Sequence, residues 1–232
     1  MASHPGRYHE ILESFTRHIA EIGYHDVNFG MVAAELGISK GTIVHHFGTK
    51  ERILAAIHES YMRRRLAELD MILEWLDSPS EQLAAILHAF VRYQVDDREA
   101  TVAVQREIIR LDDREAMAAG TALRQRYLDT VREVIRAGVD ADLFRRVDVD
   151  IDALLMFGSA QWAWTWFRPA GPKTAGQVGS ALVDLILGSL LVDRAALPGL
   201  ASPDGPAAQT LREAASETTR SLLPDRGLVH VY

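Results

Sequence analysis

No cysteine occurs in the 232-residue chain, which removes disulfides, thiolate nucleophiles and cysteine-based zinc sites at once. No uninterrupted apolar run is long enough to cross a bilayer, and the opening MASHPGRYHE has no apolar stretch of signal-peptide type. A soluble, cytoplasmic protein without membrane partners is therefore expected. Positive charge is not in surplus either: 25 Lys+Arg stand against 32 Asp+Glu, for a formal net charge of -7. Taken whole, that balance argues against a nucleic-acid partner. Signatures of catalysis are missing too. Beyond residue 65 the histidines are His88 and His230, neither beside a nucleophile motif, and there is no phosphate-cradling glycine loop or His-Glu-x-x-His pair. Adjacent His45 and His46 point to different helix faces and make a poor metal pair, so no metal, cofactor or enzymatic activity is expected.

What is present changes the reading of the charge. Hydrophobic residues make up 48% of the chain, enough for a real core. Residues 1–65 hold 8 Lys+Arg and 7 Asp+Glu, leaving 17 and 25 for the remainder. The acidity thus belongs to the later part, which need not face DNA. Seven of the nine histidines (His4, His9, His18, His25, His45, His46, His58) also lie in the first part. A first part this weakly basic predicts modest nonspecific affinity, since that term comes from phosphate neutralisation.

Residues 27 to 54, VNFGMVAAELGISKGTIVHHFGTKERIL, organise the rest. Asn28 reads as the cap of a short helix that Gly37 ends in a left-handed conformation, and Ser39 can cap the next. Val32, Ala33, Leu36, Ile38, Ile43 and Phe47 fall at the spacing that buries a common seam. The second helix, from about Lys40 to His46, keeps its other side free, and a helix so presented fits the major groove. The plain alternative is a packed helical hairpin in an unrelated all-α protein.

The remaining pattern is helical throughout, without a convincing strand or an internal repeat. Ile11, Leu12, Phe15 and Ile19 give residues 7–22 one apolar face, and Gly23 stops that helix. A long pattern runs from Thr49 to Asp77. Ser78-Pro79-Ser80-Glu81 then combines a capping box with proline at the first helical position, opening a helix to about Val95. Helices are expected over 98–111 and 114–137, with the latter ending at Gly138 after a break at Asp112-Asp113. One from about Asp150 through Trp166 ends at Pro169-Ala170-Gly171-Pro172, and the last large one covers Thr174 to Leu191. Residues 197–209, rich in Pro, Gly, Ala and Ser, read as a mobile linker, and 207–223 as a short helix with a thin apolar face.

The 27–54 stretch closely resembles the DNA-binding head of TetR-type transcriptional repressors. Leu36-Gly37-Ile38-Ser39, Gly41-Thr42-Ile43, His45-His46-Phe47 and Thr49-Lys50 match that family's pattern in order and spacing. The resemblance implies an all-α protein with a helix-turn-helix DNA-binding head (1–48), a ligand-binding and dimerisation body (49–195) and a mobile C-terminal tail (196–232). It implies a homodimer on a pseudo-palindromic double-stranded operator, because one helix reads only a half-site. Lys40 and His45 are expected at base or groove edges, and Ser39, Thr42, His46 and Lys50 at phosphates. Asn28 joins the DNA-binding set, although it stands where the family usually has Thr. Gly30 replaces a frequent Arg, and Val44 a phosphate-contacting Tyr. Each departure removes or changes a DNA contact. The alternative for any one of these residues is a solvated face with histidines that only pack.

A second resemblance concerns the ligand. WAWTWFRPAGPKTAGQVGSALVDLILGSL looks like the corresponding run in TetR-type repressors of fatty-acid and sterol-ring catabolism, whose effectors are acyl-CoA thioesters. Gln105-Arg106-Glu107 and the turn holding Phe144 fit the same subgroup; Thr165 stands where Arg is frequent, which removes a cationic contact. A hydrophobic small-molecule effector is expected between the middle helices, at Leu87, Phe90, Val91, Val102, Ile109, Tyr127 and Val131, with plain core packing as the alternative. Arg106, Arg110 and Arg124 could meet a carboxylate or CoA phosphates, because planar guanidinium suits such groups. Trp162 and Trp166 share a helix face that lines either the ligand or the dimer interface. The other readings of the whole chain are a regulator of drug efflux or another small-molecule pathway, and a fold relative that has lost DNA binding.

Overall fold

A computed structural model describes residues 5–107 and 115–222. These form α1 (Pro5–Ile22), α2 (Phe29–Leu36), α3 (Lys40–Phe47), α4 (Lys50–Trp75), α5 (Pro79–Asp96) and α6 (Arg98–Glu107). A 3₁₀ turn at Glu115–Met117 leads into α7 (Ala118–Asp140), followed by α8 (Val149–Gln161), α9 (Ala163–Trp166), α10 (Ala175–Leu190), α11 (Leu197–Ala201) and α12 (Pro206–Leu222). Among the described residues the one extended pairing is a bridge between Phe144 and Leu191, so the fold is all-α as expected.

The chain forms two compact units, with boundaries inside α4 and α7: Met1–Arg63 with Arg98–Arg124, and Arg64–Asp97 with Gln125–Tyr232. The head expected over 1–48 is thus extended in the first unit by the start of α4 and by α6. Within that unit Ile11, Phe15 and Ile19 are fully buried, as their spacing on α1 requires, and α6 packs along α1. Tyr8 stacks on Phe47 at 4.5 Å between ring centroids, joining α1 to the end of α3.

The second unit is built around α5. Every residue from Leu83 through Val91 is buried, the mark of a helix covered on all sides. Its neighbours are α8, α9, α10, α11 and α12. Proline opens α5 as expected, but Ser78 makes no capping bond. Its hydroxyl pairs with that of Ser80 at 2.8 Å instead, and Gln82 Nε2 donates to the Leu76 carbonyl at 2.7 Å. A ring in the turn after α7 explains Gly138: a Cβ there would lie 2.1 Å from Phe144.

Three other expectations are corrected. The helix expected from Asp150 through Trp166 breaks at Trp162 into α8 and α9, and α7 runs past Gly138 to Asp140. The tail expected to be mobile is, as far as residue 222, α11 and α12 laid on α5. Leu197, Leu200, Ala207, Ala208, Leu211 and Ala214 are buried there. The apolar face of α12 looked thin because it is mostly alanine, and small residues are what let one helix lie close on another. Buried His88 fixes this appendage, with Nε2 3.1 Å from the Leu200 carbonyl, and Gly179 leaves room for its ring. Burial holds the His88 imidazole below its usual pKa, so it donates that bond as the neutral ring.

Candidate nucleic-acid interface and effector region

The α2–α3 pair is set by its caps. Asn28 Oδ1 accepts from the backbone N–H of Gly30 at 2.9 Å and of Met31 at 3.2 Å. Gly37, at φ +61, ends α2 and returns its N–H to the Ala33 carbonyl. Ser39 Oγ accepts from the Thr42 N–H at 3.1 Å and pairs with the Thr42 hydroxyl at 3.0 Å. Ser39, Thr42 and the Asn28 oxygen are thereby occupied in starting the helices, a role beside the DNA contacts expected of them. Ile43 and Phe47 are buried, so α3 exposes Gly41, Val44 and His45 on its outer face, Lys40 is exposed at its first position, and His46 is half-buried against Phe47.

α1 and α2 are tied by Glu35, which accepts from Ser14 at 3.0 Å, from Arg17, and lies 2.8 Å from His18 Nε2. Burial alone would raise the Glu35 pKa; the bonds from Arg17, Ser14 and His18 outweigh it and hold the carboxyl below its usual range.

The turn joining α1 to α2 is gripped by charged side chains. Arg106 NH1 donates to the carbonyls of Ala20 and Glu21, each at 3.3 Å, and its guanidinium lies over Gly23, whose φ is +87. Glu107 accepts from the Tyr24 N–H at 3.1 Å. Lys50 Nζ donates to the His25 carbonyl at 3.1 Å and sits 4.5 Å from the centre of the Tyr24 ring, where desolvation lowers its pKa. The Lys50 ammonium, expected at a phosphate, is thus held at the turn between α1 and α2. Arg106, expected at a ligand carboxylate or phosphate, instead closes the carbonyl end of α1, which suits a cation.

The residues expected to face a ligand divide between the units. Leu87, Phe90, Val91, Tyr127 and Val131 are buried in the second, while Val102, buried, and Arg124, half-buried with partners, belong to the first. Ile109 and Arg110 lie outside the described residues. The second unit brings Phe90, Tyr127 and Phe157 into an edge-on ring cluster, with centroids 5.1 to 6.2 Å apart. Sequence reading missed the charged group on α4 and α5. Buried Arg65 pairs with buried Glu68 at 2.9 Å and lies 3.8 Å from the centre of the Tyr93 ring, while Arg64 reaches Asp97 at 2.8 Å. Burial raises the Glu68 pKa against the pull of Arg65, and it raises that of Tyr93 as well. The signal was available: positions 61, 65, 68 and 72 form one helix face on which two charged residues interrupt the apolar series.

Trp162 and Trp166 are 64% and 54% exposed, which removes them from the interior of the second unit. With Ile151, Leu154 and Leu155, also more than half exposed, they follow the helical spacing of a single face along α8 and α9. Leu185 on α10 is exposed as well. Arg168 donates to the carbonyl of Thr165 at 3.1 Å, and the hydroxyl of Thr165 to that of Trp162 at 2.8 Å. These bonds close the end of α9 and need no ligand.

A capped helix-turn-helix with a free outer face, carried on a chain with a second, all-helical unit, defines a DNA-binding transcriptional regulator of bacterial type. Residues 11–57 match the model for bacterial regulatory proteins of the tetR family, and residues 76–190 that for the tetracyclin repressor-like C-terminal domain. The chain belongs to the TetR family. It is 32% identical to PfmR, a TetR family transcriptional regulator from Thermus thermophilus, over 79% of this chain and 99% of that one, with a TM-score of 0.69. It is 26% identical to the HTH-type transcriptional repressor KstR2 of Mycolicibacterium smegmatis over 79% of this chain and 90% of the relative. The structure of AibR in complex with isovaleryl coenzyme A and operator DNA is similar as well, at 26% identity over 77% of this chain and 97% of that one, with a TM-score of 0.71.

Proposed function

We propose that this protein is a ligand-responsive transcriptional repressor that binds a pseudo-palindromic operator as a homodimer and is released by a hydrophobic effector of the acyl-CoA thioester class. The observation that carries the reading is the outer face of α3, free while Ile43 and Phe47 anchor its inner side. Asn28, Ser39, Lys40, Thr42, His45, His46 and Lys50 form the DNA surface, and the head, body and C-terminal appendage divide reading, sensing and support. The exposed stripe from Ile151 to Trp166 is the face that meets a second copy, since an apolar patch of this kind on an otherwise packed unit marks an interface. Regulation in the cytoplasm, without catalysis, is the role this arrangement serves. Among the described residues no helix is long and apolar enough to cross a membrane.

Support for the effector class comes from AibR, whose complex contains isovaleryl coenzyme A, and from the makeup of the second unit. Apolar Leu87, Val91 and Val131 and the rings of Phe90, Tyr127 and Phe157 suit an acyl chain. Arg65 and Glu68 on α4, with Tyr93 on α5, the helix that bears Phe90, supply a buried polar end. Release requires that the effector bind more tightly to the conformation that does not hold DNA, because equal binding shifts nothing. A thermal-shift and operator-release panel of acyl-CoA thioesters, their free acids and unrelated hydrophobic compounds tests the class. Stabilisation and release by thioesters are expected; release by the free acids or the unrelated compounds, and by no thioester, overturns it.

A further inference from the structure

The outer face of α3 is chemically unusual for a helix that reads a groove. Its middle is Val44, 47% exposed, with Gly41 one turn before it and nothing but the Ser39 hydroxyl, at 3.4 Å, near the position a Gly41 side chain would take. Lys40, which would be the cationic reader of that face, turns away from it. Its Cε and Nζ lie 3.1 and 3.3 Å from where a Cβ on Gly30 would stand, beside Asn28 Oδ1 at 2.9 Å, so the lysine side chain crosses to the start of α2. Neither α2 nor α3 has an acidic residue in its first turn to neutralise it. In a helix-turn-helix the second helix meets base edges while the first crosses the DNA backbone. A charge carried over to α2 is therefore at the backbone, and Val44, without the reach or the hydroxyl to make the phosphate contact of the tyrosine it replaces, presents a stiff, β-branched apolar side chain to the groove.

We propose that Val44 is a specificity-determining residue that reads the C5-methyl group of a thymine in the major groove, while Lys40, lying against the start of α2 beside Gly30, binds the phosphate backbone. The assignment rests on the operator-binding reading above and deepens it. Thymine's methyl is the one apolar group among the major-groove edges, so it is the feature an exposed valine can discriminate. Lys40, expected from sequence at a base or groove edge, then contributes affinity that does not depend on sequence.

The test uses full-length protein and a duplex it selects from random sequence. Replacing each thymine in turn, in both half-sites, by deoxyuridine removes only the methyl. One position should weaken binding roughly fourfold per half-site, the worth of one buried methyl. Val44→Ala should show a similar loss on the unmodified duplex and no further loss at that position. Lys40→Met should weaken selected and random duplexes alike and reduce the slope of log affinity against log salt by about one unit per protomer. Both residues are exposed, so both variants should keep the wild-type circular dichroism and melting curve. Tolerance of deoxyuridine at every position, or undiminished deoxyuridine sensitivity in Val44→Ala, overturns the role of Val44. A change of base preference in Lys40→Met with an unchanged salt slope overturns the role of Lys40. Failure of the wild type to select any duplex would instead overturn operator binding itself, and this assignment with it.

Discussion

Leu155 offers the sharpest test of the proposed dimer face. Its side chain is 67% exposed on α8, in line with Ile151, Leu154, Trp162 and Trp166. Fully burying a leucine is worth about 2 kcal/mol, so covering the exposed two-thirds yields roughly 1.3 kcal/mol. In a two-fold interface the same residue acts once from each protomer, which brings the figure to about 2.6 kcal/mol per dimer. At about 1.4 kcal/mol per tenfold, Leu155→Ala should weaken self-association on the order of a hundredfold. Sedimentation equilibrium across nanomolar to high micromolar protein reads this directly. The isolated protomer should keep its fold, because the residue makes little of the core. Operator binding at low protein concentration should fall along with dimerisation and recover when concentration is raised. An unchanged association constant in Leu155→Ala, or a wild type that remains monomeric at micromolar concentration, would refute the reasoning.

Other perturbations probe the interior. Arg65→Met leaves the Glu68 carboxyl buried without its cation and should cost about 3–5 kcal/mol in chemical denaturation, whereas pairing it with Glu68→Leu should recover most of that; a single variant as stable as wild type would show that the pair is not buried in solution. His88 is held neutral by burial, so its folded pKa lies below the unfolded one, near 6.5. Below that pH the unfolded chain takes a proton that the folded chain refuses, and stability falls with acid. His88→Gln should flatten the fall of denaturation free energy between about pH 6.5 and 5, and an unaltered pH profile would count against the buried ring. Arg106→Met removes the donors from the Ala20 and Glu21 carbonyls and should cost about 1 kcal/mol, seen as faster amide exchange at Gly23 and Tyr24. Exchange unchanged at both amides would free Arg106 for the ligand role first expected of it.

Much of the head was legible because its determinants are local. Asn28, Gly37, Ser39 and Gly23 act on backbone groups within a few residues, so their type and spacing announce the helix ends they make. Contacts between distant stretches of the chain were harder for the same reason inverted. The contacts that give Arg106 to α1 and His88 to α11 span 86 and 112 positions, and nothing in their neighbourhoods advertises the partner. Alanines hid the packed face of α12, since Ala207, Ala208 and Ala214 carry little hydrophobic signal although all are buried. Arg65 and Glu68 were visible as interruptions of an apolar face, but their burial is a tertiary fact. Trp162 and Trp166 were left between ligand wall and interface by spacing alone; their exposure takes them out of the interior of the second unit. Lys40 lies with its side chain beside Gly30 on α2, a placement that its own neighbours in the sequence do not announce.

The most direct measurement is selection of DNA from a random-sequence pool by the purified full-length protein, followed by challenge of the retained duplex with acyl-CoA thioesters. The expected result is enrichment of a pseudo-palindrome, bound by two protomers and released by a thioester at concentrations that also raise the protein's melting temperature. Retention of DNA without sequence enrichment, or of an enriched duplex that no thioester or other hydrophobic compound releases, would contradict a ligand-responsive repressor.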